Sequence, residues 1–323
     1  MLLFSVAILV GLVLLAWSSE RFVDGASSLA RHWGIPPLVV GIVVVGFGTS
    51  APEMLVSLTA AMQGNPGIAL GNAVGSNITN IALVLGVTAL LMPLSVHSRV
   101  VKRELPLVLL AGLFSWVLLR DGSLSQWDGI LLVSTLVGLL GWMVHTARAA
   151  VTAGDDTLLQ EIAAEMPATL SQKYAILWTV LGLLVLILSS RLLVWGATGI
   201  AQAFGVSDLI IGLTIVAIGT SLPELAASIA SVRKGESDMA VGNIVGSNLF
   251  NNLAVIGLPA LLSPIAVPDD FLSRDLPIML GLTVLLLLFN FTPPKRNVIA
   301  RPEGAVLLLA FIAYQILLYT QST

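Results

Sequence analysis

The chain has no cysteine, which excludes disulfide staples and thiolate metal sites and leaves redox compartment unreadable. It also has little charge. Of 323 residues only 10% are charged and 57% are hydrophobic, whereas a soluble domain carries roughly 25% charged residues. Histidine is scarce as well: His32, His97 and His145 lie near the ends of apolar runs or in loops, where interfacial roles are expected rather than a ligand or proton relay. No HExxH helix, nucleophile elbow or P-loop occurs. The chain is therefore expected to be no enzyme, to need no cofactor and to have no nucleic-acid partner. Any pumping must draw on an ion gradient.

What is present is apolar length. Runs such as Leu2 to Trp17, Leu105 to Leu119, Ile130 to Val144, Ile176 to Leu188 and Ile278 to Phe291 approach the ~20 apolar residues that cross a hydrocarbon core. The first run lacks a basic lead-in and a small-x-small cleavage site, so it reads as a span, not a signal peptide. The pattern predicts an all-α polytopic membrane protein with ten transmembrane helices near 2–20, 37–62, 68–92, 104–119, 128–146, 174–194, 208–232, 238–262, 275–291 and 302–320. With the N-terminus outside, the inner loops hold Arg21, Arg31, Arg99, Lys102, Arg103, Arg148, Lys173, Arg233, Lys234, Lys295, Arg296 and Arg301, against Arg120, Arg191 and Arg274 outside. That bias predicts both termini outside. The polar stretch 147–173 is expected to be a cytoplasmic connector with a short amphipathic helix around Leu158, Leu159, Ile162 and Met166; its acidic cluster reads as a solvated hinge rather than an ion sensor.

The two halves repeat. Gly48-Thr49-Ser50-Ala51-Pro52-Glu53 returns as Gly219-Thr220-Ser221-Leu222-Pro223-Glu224, an offset of 224 − 53 = 171 positions. The same offset carries Gly71-Asn72-Ala73-Val74-Gly75-Ser76-Asn77 onto Gly242-Asn243-Ile244-Val245-Gly246-Ser247-Asn248, Asn80 onto Asn251, Gly64 onto Gly235, and Arg103-Glu104-Leu105-Pro106 onto Arg274-Asp275-Leu276-Pro277. Five spans in each half is an odd number, so the second copy enters from the opposite face. Two inverted five-helix repeats, 1–146 and 174–323, point to a secondary transporter with a midplane site.

The hexads supply the chemistry. Pro52 cannot donate to the Gly48 carbonyl, so the helix must bend there. Thr49, Ser50 and Glu53 fall within one turn. Carbonyls, hydroxyls and a carboxylate are hard oxygen ligands suited to Ca²⁺ and Na⁺. An acid at mid-membrane costs about 2.5 to 3.5 kcal/mol, and two at matching positions, Glu53 and Glu224, suggest one shared divalent cation. Asn72, Ser76 and Asn80 form a stripe of spacing four, as do Asn243, Ser247 and Asn251. Ser76, Asn80, Ser247 and Asn251 read as ion ligands. For Asn72, Asn77, Asn243 and Asn248 interhelical hydrogen bonding and ligation stand as equal alternatives, while Ser57 and Ser228 are expected to bond back to carbonyls.

These blocks resemble the cation/calcium exchanger superfamily, in particular its prokaryotic sodium/calcium exchanger branch, over the whole five-plus-five layout. The resemblance implies a prokaryotic inner-membrane antiporter exchanging Na⁺ for Ca²⁺ by alternating access. It assigns the Ca²⁺ to Glu53 and Glu224, backbone carbonyls to Thr49 and Thr220, and Na⁺ binding to Ser50, Ser221, Ser76 and Ser247. Some family members carry aspartate where this chain has Asn251, so the centre here holds two carboxylates rather than three. Exchange of Ca²⁺ or another cation against H⁺ is the alternative within transport, and a passive cation channel the alternative outside it.

Overall fold

The computed structural model describes residues 1–33, 46–96, 99–153, 170–233, 235–291 and 298–322. The connector's proposed amphipathic helix and most of the first half of the second expected span lie outside the described residues. The rest is almost wholly helical. In chain order come α1 (Leu2–His32), α2 (Gly46–Thr49), α3 (Ala51–Met62), α4 (Pro66–Leu91), α5 (Arg99–Leu119), α6 (Gln126–Ala153), α7 (Gln172–Phe204), α8 (Asp208–Arg233), α9 (Ser237–Leu262), α10 (Leu276–Phe291) and α11 (Arg301–Ser322).

Eight of the helical stretches among the described residues are long and apolar enough to cross a membrane. The two other expected spans correspond to shorter apolar segments: α3, and α5, where Lys102, Arg103 and Glu104 shorten the uncharged part. Several expected boundaries were too short. α1 continues to His32 rather than ending near 20, α7 continues to Phe204 rather than 194, and α6 runs to Ala153, past the expected edge at 146. In α1 the extension is possible because Arg21 pairs with Asp24 at 3.2 Å and lies over the Trp178 ring, so its charge is met within the helix pair.

α1 and α7 pack antiparallel along their length through glycines. A Cβ on Gly11 would stand 3.1 Å from the Leu193 backbone, on Gly25 2.5 Å from Thr179 N, and on Gly182 2.7 Å from Phe22 N. Without a hydrophobic drive between helices in lipid, such close backbone approach supplies the dispersion contact that holds the pair. The outer faces of α1 carry exposed Leu2, Leu3, Leu9 and Val13, which suit lipid.

α4 and α9 form the interior. Their apolar windows are 78% and 83% buried, against 33% for α1 and 22% for α6, so polar side chains on α4 and α9 are shielded from lipid. α4 crosses the first leg of α8 at Gly71 and Gly212, where an added Cβ would meet Leu209 O at 2.5 Å and Ile68 O at 2.7 Å respectively. Each helix also has one widened turn, π-helical over Thr79–Val84 in α4 and Asn251–Val255 in α9.

Contacts between the halves recur in both copies, with the offset growing from 171 to 175 towards the last helix of each half. The strand Leu94–Ser95 pairs with Val298–Ile299, and Ser123–Leu124 pairs with Ile265–Ala266, both antiparallel. Each two-stranded ribbon thus joins one strand from each half. Likewise Gly86 of α4 packs on α11 at Gly304 and Leu308, while Gly257 of α9 packs on α6 at Leu132 and Gly129. Gly64 and Gly235 close the hexad helices with φ of +80° and +87°, a conformation that favours glycine and explains its recurrence at both positions.

Candidate ion-binding site

Each hexad forms two helical legs that meet at a serine. The first breaks at Ser50 (φ −90°, ψ 1°), between α2 and α3, with Pro52 in the first turn of α3. In the second, within α8, the break falls at Ser221 (φ −87°, ψ 3°). The expected bend is thus a one-residue interruption just ahead of the proline, and in α8 the Ser221 N–H still donates to Ala217 O and the Leu225 N–H to Ser221 O, both at 3.1 Å. The same geometry at both sites follows from the same cause: proline cannot donate to the carbonyl four residues back and is well tolerated at a helix start. Each glutamate then sits in the first turn of its second leg.

The Gly48 carbonyl that Pro52 leaves free accepts a hydrogen bond from Ser19 Oγ of α1 at 2.8 Å. α1 also passes close to both hexad glycines, with Val23 against Gly48 and Leu12 against Gly219. Sequence reasoning did not single out Ser19 or its repeat mate Ser190. The signal was available as the pairs Ser18-Ser19 and Ser189-Ser190, which lie 171 apart in otherwise apolar helices.

The ten expected site residues divide into two groups. Thr49, Thr220, Ser76 and Ser247 pair across the halves: Thr49 Oγ1 lies 3.4 Å from Ser247 Oγ, and Thr220 Oγ1 lies 3.4 Å from Ser76 Oγ. Thr220 also donates to Asn72 Oδ1 at 3.1 Å, and Ser247 donates to Glu224 Oε1 at 3.3 Å. The other six, Ser50, Glu53, Asn80, Ser221, Glu224 and Asn251, are buried and each carries at least one side-chain atom without a protein partner. Both Glu53 oxygens, Glu224 Oε2, Ser50 Oγ, Ser221 Oγ, Asn80 Oδ1 and both polar atoms of Asn251 are unpaired.

Leaving a buried polar atom unpaired costs about 1–3 kcal/mol, and more for a charged one. Native proteins keep few such atoms, and eight of those in this chain fall on the hexads and the two central asparagines. Ser247, which bonds Glu224 Oε1, also lies against Thr49 of the first hexad, so the two hexads meet at one centre. Among the described residues no three His, Cys, Asp or Glu side chains gather as a metal cluster. The charge of this centre is therefore that of two glutamates, surrounded by neutral oxygens, a donor set for hard cations.

Of the amides with two open readings, Asn72 bonds between helices: its Nδ2 donates to the Glu53 carbonyl at 3.1 Å and to Ser57 Oγ at 2.9 Å. Ser57 in turn donates to the Ala69 carbonyl of α4, not back along its own helix. Asn77 Nδ2 donates to Asn252 Oδ1 at 2.8 Å, and Asn248 Oδ1 accepts from Asn80 Nδ2 at 3.1 Å. Asn243 is only half-buried and its Nδ2 has no partner, as is true of the Ser228 hydroxyl. Asn252, which the repeat does not mark because its counterpart is Ile81, was not legible as part of this network.

A helical membrane protein built around a buried oxygen-lined centre with two acids belongs to the ion-transporter class. The profile of the sodium/calcium exchanger protein family matches residues 3–144 and 174–320, and the chain belongs to that family. Among curated relatives, CaxA of Alkalimonas amylolytica is 50% identical over 320 residues, 99% of this chain and 100% of that protein. The inner membrane protein YrbG of Escherichia coli is 45% identical, covering 99% and 98%. Crystals of the sodium-calcium exchanger NCX_Mj soaked with Na⁺ and Sr²⁺ hold a similar fold, with a TM-score of 0.64 at 32% identity over 97% of both chains. The chain is thus a membrane exchanger of the cation/Ca²⁺ type and not an enzyme.

Proposed function

We propose that the chain exchanges Na⁺ for Ca²⁺ at a single midplane site, with Glu53 and Glu224 sharing the Ca²⁺. The observation that carries this reading is that the two glutamates, one from each half, are buried and that both Glu53 oxygens and Glu224 Oε2 have no hydrogen-bond partner, only Glu224 Oε1 accepting from Ser247. Thr49, Thr220, Ser50, Ser221, Ser76, Ser247, Asn80 and Asn251 complete the ligand set through neutral oxygens. Na⁺ and Ca²⁺ compete for the same carboxylates, so loading by one displaces the other.

The architecture that goes with this function is ten spans in two inverted five-helix repeats, 1–146 and 174–323, joined by a cytoplasmic connector at 147–173. The cross-half strand pairs, which recur in both copies, and the Thr49–Ser247 and Thr220–Ser76 contacts, which exchange under the offset, support it. The Lys and Arg bias supports both termini outside an inner membrane. A cavity of about 230 Å³ between α4 and α8, lined by Thr88, Leu91, Met92, Ile229, Val232 and Arg233, then lies on the cytoplasmic side and supports an approach to the centre from that face.

In proteoliposomes loaded with Na⁺ and diluted into Na⁺-free buffer, radiolabelled Ca²⁺ should accumulate. Accumulation driven by a pH jump without Na⁺ would replace Na⁺ by H⁺ as the coupling ion. Ca²⁺ entry with no trans-stimulation would make the chain a channel and end the exchanger reading.

A further inference from the structure

The two central asparagines are equivalent in sequence but not in their surroundings. Asn80 is fully buried, its Nδ2 donates to Asn248 Oδ1 at 3.1 Å, and its Oδ1 has no partner. Under the 171-residue offset the mirror of this bond would run from Asn251 Nδ2 to Asn77 Oδ1, and both of those atoms are unpaired. The mirror bond is missing where Asn77 is held elsewhere. Its Nδ2 donates to Asn252 Oδ1 at 2.8 Å and lies 3.2 Å from Met279 Sδ. The counterparts of Asn252 and Met279 are Ile81 and Val108, neither of which can accept a hydrogen bond.

We infer that Asn248 is a positioning residue for the ion site: by accepting from the Asn80 amide nitrogen it commits Asn80 Oδ1 to the cation, while the unclamped Asn251 amide is free to turn. The inference rests on Asn80 being a ligand, as proposed above. An amide has a positive and a negative end, and only the oxygen end binds a cation. Without an acceptor for its nitrogen, Asn80 can present the NH₂ group to the site, which removes one ligand and adds a repelling dipole. One clamped and one free amide give a centre with a fixed half and an adaptable half, suited to holding ions of different charge in turn.

The experiment uses Asn248→Leu in two backgrounds, with Ca²⁺ affinity read from transport K½ and from the Ca²⁺-induced rise in Tm of the purified protein. In the otherwise wild-type chain, K½ should rise by about tenfold, because the Asn80 oxygen is no longer held towards the cation. In an Asn80→Asp background the carboxylate offers oxygen whichever way it turns, so Asn248→Leu should change K½ less than about twofold. Equal losses in both backgrounds would overturn the positioning role and leave Asn248 a packing residue. An unchanged K½ for Asn80→Leu alone would remove Asn80 from the ligand set, and the site reading would fall with the inference. Should Asn248→Leu not fold, Asn248→Ala takes its place in both backgrounds.

Discussion

The two hexad arms have nearly the same sequence and the same break at serine, but their packing differs. Along Ala51 to Ala60 of α3 all but two residues are buried, whereas Leu222, Ala226, Ala227 and Ala230 of the matching leg of α8 are exposed. α7 lies on α3, where Ser190 Oγ comes within 3.0 Å of Thr59 Oγ1, while α1 meets α8 chiefly at its first leg. Asn72 has its hydrogen bonds filled and Asn243 has a free amide nitrogen; Ser57 is bonded and Ser228 is not. One arm is closed over by protein and the other is left uncovered along Leu222, Ala226, Ala227 and Ala230. A repeat whose copies share chemistry and differ in cover is what alternating access requires, since the same site must be sealed from one face while reachable from the other.

The largest effect should be the one that treats the arms alike. If the difference in packing is a matter of state and not of role, Glu53→Gln and Glu224→Gln should each abolish Ca²⁺ transport, by more than about a hundredfold. Each removes half the charge that meets a divalent ion. Both variants should still yield folded, extractable protein, because a neutral amide in place of an unpaired buried carboxylate relieves a desolvation penalty. Near-wild-type Ca²⁺ uptake by either variant would break the equivalence and leave the site to one arm.

Why the charge and the repeat were legible, and the asymmetry was not, follows from what each depends on. Buried acids in apolar runs, prolines that must end a helix and glycines at positive φ act locally, so Glu53, Pro52, Gly64 and their copies could be read from spacing alone. The ten candidate ligands are named by that spacing together with the family resemblance. Their division into bonded and unpaired sets depends on which helix crosses where, and no periodicity contains that. Asn252 and Ser19 show the limit. The first has no repeat partner, and the second acts on a carbonyl 29 positions away in sequence. Helix length was misjudged where Arg21 and Asp24 neutralise one another inside α1, because a charge pair in sequence reads as a loop.

A smaller effect tests the packing difference at a glycine pair. A Cβ on Gly75 would stand 2.8 Å from the Leu213 Cα and 2.7 Å from the Ala217 Cβ, whereas on its repeat mate Gly246 it meets nothing within 4 Å among the described residues. Gly75→Ala should therefore lower stability by about 1–3 kcal/mol through overpacking. Gly246→Ala meets no described atom within 4 Å and should cost less than Gly75→Ala. Thermal unfolding in detergent separates the two. Should the arms exchange cover during the cycle, Gly246→Ala will also slow transport despite its smaller cost in stability. Equal destabilisation by both substitutions would show that the arms are packed alike.

The smallest effect concerns the bond by which α1 holds the closed arm. Ser19 Oγ donates to the Gly48 carbonyl at 2.8 Å, while Ser190 Oγ donates to its own helix at Ile187 O, also 2.8 Å, instead of to Gly219. Removing the first bond should cost the present arrangement about 0.5–1.5 kcal/mol, a shift of roughly two- to tenfold in the balance between states. Ser190 Oγ also meets Thr59 Oγ1 of α3 at 3.0 Å, so the intrahelical comparison is Ser189, whose hydroxyl donates to Val185 O and Leu186 O of its own helix and whose loss should shift the balance less. The chain has no cysteine, so Ile229→Cys in the α4–α8 cavity gives a single reporter whose rate of labelling by a water-soluble thiol reagent follows opening of that face. Ser19→Ala should lower that rate several-fold and Ser189→Ala should change it less than twofold. Equal rates in both backgrounds would mean that the Ser19 bond is made in every state, and that α1 carries the Gly48 carbonyl with it rather than releasing it.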